Sequence, residues 1–260
     1  MARFSANLGF LWAGQPLLDG IAAAARAGFK AIELHWPYDT PAGAVRDACA
    51  RHGLTLLGVN TVRGDVAAGE NGLGALPGRE AEFQAAVDQS LAFCRYAGGS
   101  AIHCMAGRVP PEARTAARET FLDNLRRASD KAAAADIMLL LEPLNSADAP
   151  NYFYSTADEG AAIVQALGRP NVRLMFDCYH VGRVGNDVIA TMARLWPTIG
   201  HIQIAAVPGR AEPDGGTLDY RPVLAAVDRL GYAGWVGAEY KPVGDTDAGL
   251  GWVEALGAHR

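Results

Sequence analysis

The chain has 260 residues, half of them hydrophobic and 20% charged, and its net charge is −5 with acids and bases interspersed. That composition suits a globular protein with a large core and excludes a basic nucleic-acid face. No apolar run is long enough to span a membrane, which excludes a transmembrane helix.

The first strand is expected from Arg3 to Gly9, with Asn7 near its end. Pro16 opens a helix whose Leu17, Leu18, Ile21, Ala24 and Ala25 share a face, and Ala27-Gly28 ends it. Lys30 to His35 reads as the second strand, carrying Glu33 and His35. A second helix follows from Pro41 to near Gly53, then a third strand from Leu54 to Val62 with Asn60 near its tip. The glycine-rich segment from Gly64 to Gly78 exceeds an ordinary connection, which predicts a functional loop or lid. A long helix is expected over Arg79 to Tyr96, a fourth strand with His103 over Ser100 to Met105, and another long helix over Glu112 to Ala135.

Ile137 to Asn145 reads as the fifth strand. Its unbroken apolar run suits a strand buried on both faces, as in a parallel sheet covered by helices. Thr156 and Glu159 have capping-box spacing for the next helix. The sixth strand is Val172 to Asp177, followed by a helix near Asp187 to Leu195, a seventh strand over Ile199 to Ala205 and a turn-rich loop with Arg210 over Val207 to Thr217. Asp219 to Gly231 forms a helix, Trp235 to Tyr240 the eighth strand, and Thr246 to Leu256 the last helix. Eight strand–helix units without a linker predict one (β/α)8 barrel, a TIM barrel, over residues 1–260. An open doubly wound sheet is the weaker alternative, because Gly9 to Gly14 does not fit GxGxxG.

The fifth to eighth strands end in Glu142, Asp177, Gln203 and Glu239. A carboxylate at the tip of a buried strand is costly unless a cation, proton or ligand compensates it. Strand tips at the C-terminal mouth of a barrel are where active sites form, so these four point to one centre. Three carboxylates and an amide suit a hard divalent cation, Mg²⁺ or Mn²⁺, better than zinc. Glu142 and Glu239 could also act as paired proton carriers beside a metal that polarises a carbonyl and a hydroxyl, an arrangement suited to aldose–ketose isomerisation or epimerisation. His180, Arg210 and Lys241 are the candidate substrate-binding residues, and Arg210 could hold a carboxylate bidentately. The bland readings are a capping His180 and a solvated surface Arg210. His103 and His35 read equally well as ligands and as satisfied core or rim histidines, and Glu33 as a base partner or a rim charge. Arg79 is a further candidate for the carboxylate.

With those residues in view, the chain resembles the hydroxypyruvate isomerase family within the xylose-isomerase-like barrels. The resemblance is carried by Arg3-Phe-Ser-Ala-Asn7, Ala75-Leu-Pro-Gly-Arg79, Leu141-Glu-Pro-Leu-Asn145, Asp177-Cys-Tyr-His180, His201-Ile-Gln-Ile-Ala205 and Gly234 to Pro242. It implies interconversion of hydroxypyruvate and tartronate semialdehyde, with Glu142 and Glu239 as the catalytic pair and those two plus Asp177 and Gln203 as metal ligands. A sister branch, the 2-oxo-tetronate isomerases, is also similar through Met105-Ala-Gly107, Glu212-Pro-Asp-Gly215 and Glu239 to Trp252. Both branches usually carry Gly-Glu where this chain has Gly216-Thr217, a departure that bears on loop anchoring and substrate choice.

Ketose 3-epimerases are also similar but usually have His at the position of Gln203. A non-catalytic sugar-acid binder would not require two opposed proton carriers. Endonuclease action on damaged DNA calls for a histidine-rich zinc cluster and a basic face, which six histidines and a net negative charge do not supply. The expected partner is a small hydroxy-oxo acid, with homo-oligomerisation left open. The opening Met-Ala-Arg-Phe-Ser lacks the apolar segment of a signal peptide, and Cys49, Cys94, Cys104 and Cys178 show no CxxC spacing. A cytoplasmic protein with reduced thiols is therefore expected.

Overall fold

The structure is a computed structural model and describes residues 2–257. Eight parallel strands close into a barrel in sequence order: β1 (Arg3–Asn7), β2 (Ala31–Glu33), β3 (Thr55–Asn60), β4 (Ala101–His103), β5 (Met138–Leu141), β6 (Val172–Asp177), β7 (Ile199–Ile204) and β8 (Trp235–Ala238). β1 seals the ring by pairing with β8, Phe4 opposite Val236 and Ala6 opposite Ala238. Around it lie the helices α1 (Leu17–Arg26), α2 (Ala42–His52), α3 (Glu80–Ala97), α4 (Arg114–Ala133), α5 (Ala157–Leu167), α6 (Cys178–Arg183), α7 (Val188–Leu195), α8 (Tyr220–Arg229) and α9 (Trp252–Ala255).

The period-2 alternation of a strand sorts these side chains between two environments. Leu139 and Leu141 of β5, Leu174 and Phe176 of β6, Ile202 and Ile204 of β7, and Val236 and Ala238 of β8 turn outward into the helix-covered core. Met138, Leu140, Glu142, Met175, His201, Gln203, Trp235 and Glu239 line the interior instead. That interior holds a cavity of about 580 Å³. Small residues such as Gly58, Ala101 and Gly200 on its wall leave it less filled than the layered side chains usual for this architecture. Fully buried Phe121 of α4 stacks on Tyr154 and meets Phe153 edge-on, which packs the segment after β5 against the helix layer. Truncating it to Ala would cost about 3–5 kcal/mol.

The expected capping box is present. Thr156 Oγ1 accepts from the Glu159 amide and Glu159 Oε2 accepts from the Thr156 amide. The four cysteines are buried and unbridged. No described helix is long and apolar enough to cross a membrane.

Three local expectations change. A short helix, α6, starts directly after β6, because Asp177 Oδ1 accepts from the Tyr179 amide and caps it. His180 therefore stands on a helix. The last helix is a 3-10 turn over Ala248–Gly251 running into the four-residue α9. The segment from Gly64 to Gly78 is tied down: the Gly74 and Ala75 amides donate to Met105 and Ala106 carbonyls, and Asn124 Nδ2 donates to Gly74 O.

Candidate active site

The tips of β5 to β8 bring Glu142, Asp177, Gln203 and Glu239 to the barrel mouth, where all four are buried. Each follows an apolar run because the same strand that buries two faces of hydrocarbon also delivers one inward polar group at its end. Arg210 reaches the same place from the loop after β7. Its side chain is only 13% exposed, which decides against a solvated surface arginine. Its Nη2 donates to Glu239 Oε2 at 2.5 Å and lies 3.4 Å from Asp177 Oδ2. Arg210 Nε is buried without a hydrogen-bond acceptor.

Glu239 accepts two further hydrogen bonds at Oε1, from Asn7 Nδ2 at 3.0 Å and His35 Nε2 at 2.9 Å. Burial alone would raise its pKa, but Arg210 and His35 outweigh it and hold the carboxyl down at about 2. Glu142 lies 3.4 Å from His103 Nδ1 and 3.5 Å from His180 Nε2, and its Oε1 has no hydrogen-bond donor. Burial, then the charges of Glu239 and Asp177, push its pKa well above the usual carboxylate range. Burial likewise raises Asp177 to about 7 despite Arg210.

His180 is oriented by the segment after β5. Its Nδ1 accepts from the Asn145 backbone amide at 3.1 Å and lies 2.7 Å from Asn145 Nδ2. Amide N–H groups can only donate, so Nδ1, with two of them within 3.1 Å, is the acceptor and the ring proton sits on Nε2, which leaves Arg210 Nη1, 3.4 Å away, a neighbour of that nitrogen and not a donor to it. Burial, with Arg210 beside it, lowers the pKa to about 3 and keeps the ring neutral. Asn145 is held by Asp148, which also accepts from the Tyr179 hydroxyl at 2.7 Å. Glu142, Asp177 and His180 offer atoms within 4.8 Å of one another. The Nε2 proton makes His180 a donor in that group and leaves the two acids as its ligands.

Among the described residues Glu142 Oε1 and Gln203 Oε1 are buried without a hydrogen bond, and Asp177 Oδ2 and Glu239 Oε2 accept only from Arg210, with His180 Nε2 3.5 Å from Glu142 Oε1 and 3.7 Å from Asp177 Oδ2. An all-oxygen set with unsatisfied acceptors fits a hard divalent cation such as Mg²⁺ or Mn²⁺. Glu142, Asp177, Gln203 and Glu239 would hold it.

Other candidates fall elsewhere. Lys241 is exposed at the rim, its ammonium 5.7 Å from the centre of the Phe10 ring that Arg210 also flanks at 5.1 Å. Arg79 faces away, paired with Glu70 and Glu82. Glu33 is no rim charge but a buried acid in the layer beneath the mouth. Burial opposes its ionisation, yet His201, Ser5 and Gln203 lower its pKa. Sequence reasoning missed Asn7 as a partner of Glu239 and missed Asp148 altogether, and it held Asn145 and Tyr179 only as motif positions without a role. The capping geometry of Asp177-Cys-Tyr-His180 was the one local signal for Tyr179 and His180.

Residues 21–256 match the family model described as a xylose isomerase-like TIM barrel. The chain belongs to that family. A 2-oxo-tetronate isomerase of Cupriavidus necator is 45% identical over 255 residues, covering 98% of each chain. The hydroxypyruvate isomerase of Escherichia coli K12 is 34% identical, covering 98% of this chain and 99% of that one. A Brucella melitensis structure described as an AP endonuclease, family 2, superposes with a TM-score of 0.95 at 38% identity, covering 98% of this chain and 99% of its own. The resemblance drawn from the strand-end motifs is thus borne out, and curated isomerases stand among the relatives of this xylose isomerase-like barrel.

The departure at Thr217 has a local resolution. Its backbone amide donates to Val207 O at 2.7 Å, and Glu212 Oε1 accepts from the Val243 amide at 3.1 Å. The loop that carries Arg210 is therefore anchored without a carboxylate at position 217.

Proposed function

We propose that this protein isomerises a small 2-oxo acid that bears a hydroxyl on the next carbon. A 2-oxo-tetronate is taken as the first substrate, because a relative so named is 45% identical, against 41% for a protein of Mus musculus named putative hydroxypyruvate isomerase and 34% for the hydroxypyruvate isomerase of E. coli. Hydroxypyruvate, one carbon shorter, is the second. The observation that carries the reading is the unlike setting of two buried glutamates in one mouth: Glu239 accepts from Arg210, His35 and Asn7, whereas Glu142 Oε1 has no donor, so that before a cation binds Glu239 is held ionised and Glu142 favours its proton. Carboxyl groups pushed apart in this way are suited to the base and acid roles.

A divalent cation on the four oxygen ligands would polarise the substrate's carbonyl and hydroxyl oxygens. Glu239 removes the proton from C3, the electron pair forms the C2–C3 double bond, and the carbonyl pair moves onto O2, giving an enediolate. Glu142 delivers a proton to C2 while the hydroxyl proton passes from O3 to O2, so the carbonyl moves from C2 to C3. His180 presents its Nε2–H to a substrate oxygen. Arg210, with an unpartnered Nε, offers donors to the carboxylate.

The test is proton NMR in deuterated buffer with Mn²⁺ or Mg²⁺ and a 2-oxo-tetronate, hydroxypyruvate or a ketohexose. The expected result is carbonyl migration in the acids with deuterium entering at carbon. Exchange in none of the acids would sink the reading, and turnover of the ketohexose alone would transfer it to the epimerases.

A further inference from the structure

One layer below the mouth, each strand turns inward a residue two positions before a site residue. Ser5 precedes Asn7, Glu33 precedes His35, His201 precedes Gln203 and Gly237 precedes Glu239. These residues converge on one carboxylate. Glu33 Oε1 accepts from Ser5 Oγ at 2.5 Å and lies 3.1 Å from His201 Nε2, while Glu33 Oε2 accepts from Gln203 Nε2 at 2.9 Å. Gly237 leaves the room for this crossing. A Cβ there would stand 2.3 Å from Glu33 Oε1 and 2.9 Å from Gln203 Cγ.

An amide side chain has a donor end and an acceptor end of nearly the same shape. Which end faces a site is set by what the other end touches. A carboxylate only accepts when ionised, so Glu33 can pair only with the NH₂ end of Gln203. The carbonyl end is then turned away from Glu33, and Gln203 Oε1 is buried without a donor. Without that acid, either end of the amide could face the acids at the mouth.

We propose that Glu33 is a positioning residue: by holding the NH₂ of Gln203, it makes the amide an oxygen donor to the cation site. This rests on the cation-assisted reading above. It assigns a role to an acid that touches neither Glu142 nor Asp177 in the hydrogen bonds and ion pairs of the described residues. Ser5 and His201 serve the same end by leaving Glu33 one free oxygen, and Gly237 by admitting it.

The test is the Mn²⁺ affinity of the purified protein by calorimetry, with thermal unfolding as a control. Glu33→Gln keeps the size of the side chain and should weaken Mn²⁺ binding about 10–100-fold, the range for residues that orient a ligand. In a Gln203→Met background the same substitution should change affinity less than about threefold, because the group it orients is gone. Equal losses in the two backgrounds would show that Glu33 acts by charge alone and would overturn the proposal. Gly237→Ala crowds both Glu33 and the stem of Gln203, and so disturbs their bond without altering any charge, and should also weaken binding about tenfold or more. If Glu33→Gln does not fold, unchanged affinity in Gly237→Ala overturns the proposal. A parent protein that binds no Mn²⁺ overturns the cation reading and this one with it, whereas parental binding with equal losses overturns this one alone.

Discussion

Glu142 and Glu239 occupy the same height of one barrel, at the tips of β5 and β8, and both are buried. The wall around Glu239 supplies an arginine, a histidine and an asparagine, all donating to it. The wall around Glu142 supplies two imidazoles at 3.4 and 3.5 Å and leaves one oxygen without a donor. Burial penalises the charge of both, and the neighbours set the two apart. One side stabilises an anion and the other a proton. The division of labour between two identical side chains is therefore written in the residues beside them.

The comparison breaks first on the glutamates themselves. Glu239→Gln and Glu142→Gln should each lower kcat about 10²–10⁴-fold, the usual contribution of a positioned acid or base. They should differ in exchange. Glu142→Gln should still wash the C3 hydrogen of the 2-oxo acid into deuterated solvent, and Glu239→Gln should not. The reverse pattern would swap the two roles.

Arg210→Lys tests what sets the Glu239 side apart. Lysine keeps the charge but lacks the planar paired donors. A loss of about 1.5–3 kcal/mol is expected, read as a roughly 10–100-fold rise in KM for the acid, with kcat falling less. Unaltered steady-state kinetics would return the carboxylate to Lys241 at the rim.

Asp177→Asn sharpens the electrostatic half of the contrast. The folded-state pKa of Asp177 is raised to about 7 from an ordinary 3.8. Between those values the folded protein binds more protons than the unfolded chain, so this group costs stability that is fully expressed above pH 7 and vanishes near pH 4. In chelator, Asp177→Asn should therefore unfold at a higher temperature than the parent at pH 8 and lose that advantage as pH falls. With Mn²⁺ the order should reverse, since one anionic ligand is missing. A melting difference that does not vary with pH would remove Asp177 from the charge balance.

The smallest expected effect is at Thr217. Its shorter hydrogen bond to Val207 O comes from the backbone amide, which any residue but proline supplies, and its hydroxyl adds one at 3.2 Å to the same oxygen, so Thr217→Glu should change stability by no more than about 1 kcal/mol in chemical denaturation. A larger gain would show that the carboxylate usual in related chains anchors the loop more firmly.

The barrel and the four strand-end residues were legible because both rest on local pattern. An apolar run closed by one polar residue, repeated at the length of a strand–helix unit, announces itself four times from Glu142 to Glu239. Glu33, Asn7 and His35 were harder, because their roles depend on which strands meet across the interior. Asn7 bonds to Glu239 across 232 residues and Glu33 to Gln203 across 170, separations that no window of sequence spans. Arg210 was visible as a candidate, but the guanidinium's place among the acids follows from how the loop folds back. The short α6 hid behind the double duty of Asp177, which caps that helix with one oxygen and faces Arg210 with the other.

The pairing of β1 with β8 has a consequence for how the protein matures. Glu239 is steadied by Asn7 and His35, from the first two strands, so the most finely tuned carboxylate lies at the seam where the ring shuts. During synthesis those partners emerge early and wait for nearly the whole chain before Glu239 exists. Contacts of such separation carry the largest loop-closure cost and form late. Until then β1 is an open sheet edge, able to pair with another chain. Competence for catalysis and protection from aggregation should therefore arrive together, when the eighth strand docks. In refolding experiments, recovery of activity should coincide with the disappearance of a β1 edge that hydrogen exchange can detect.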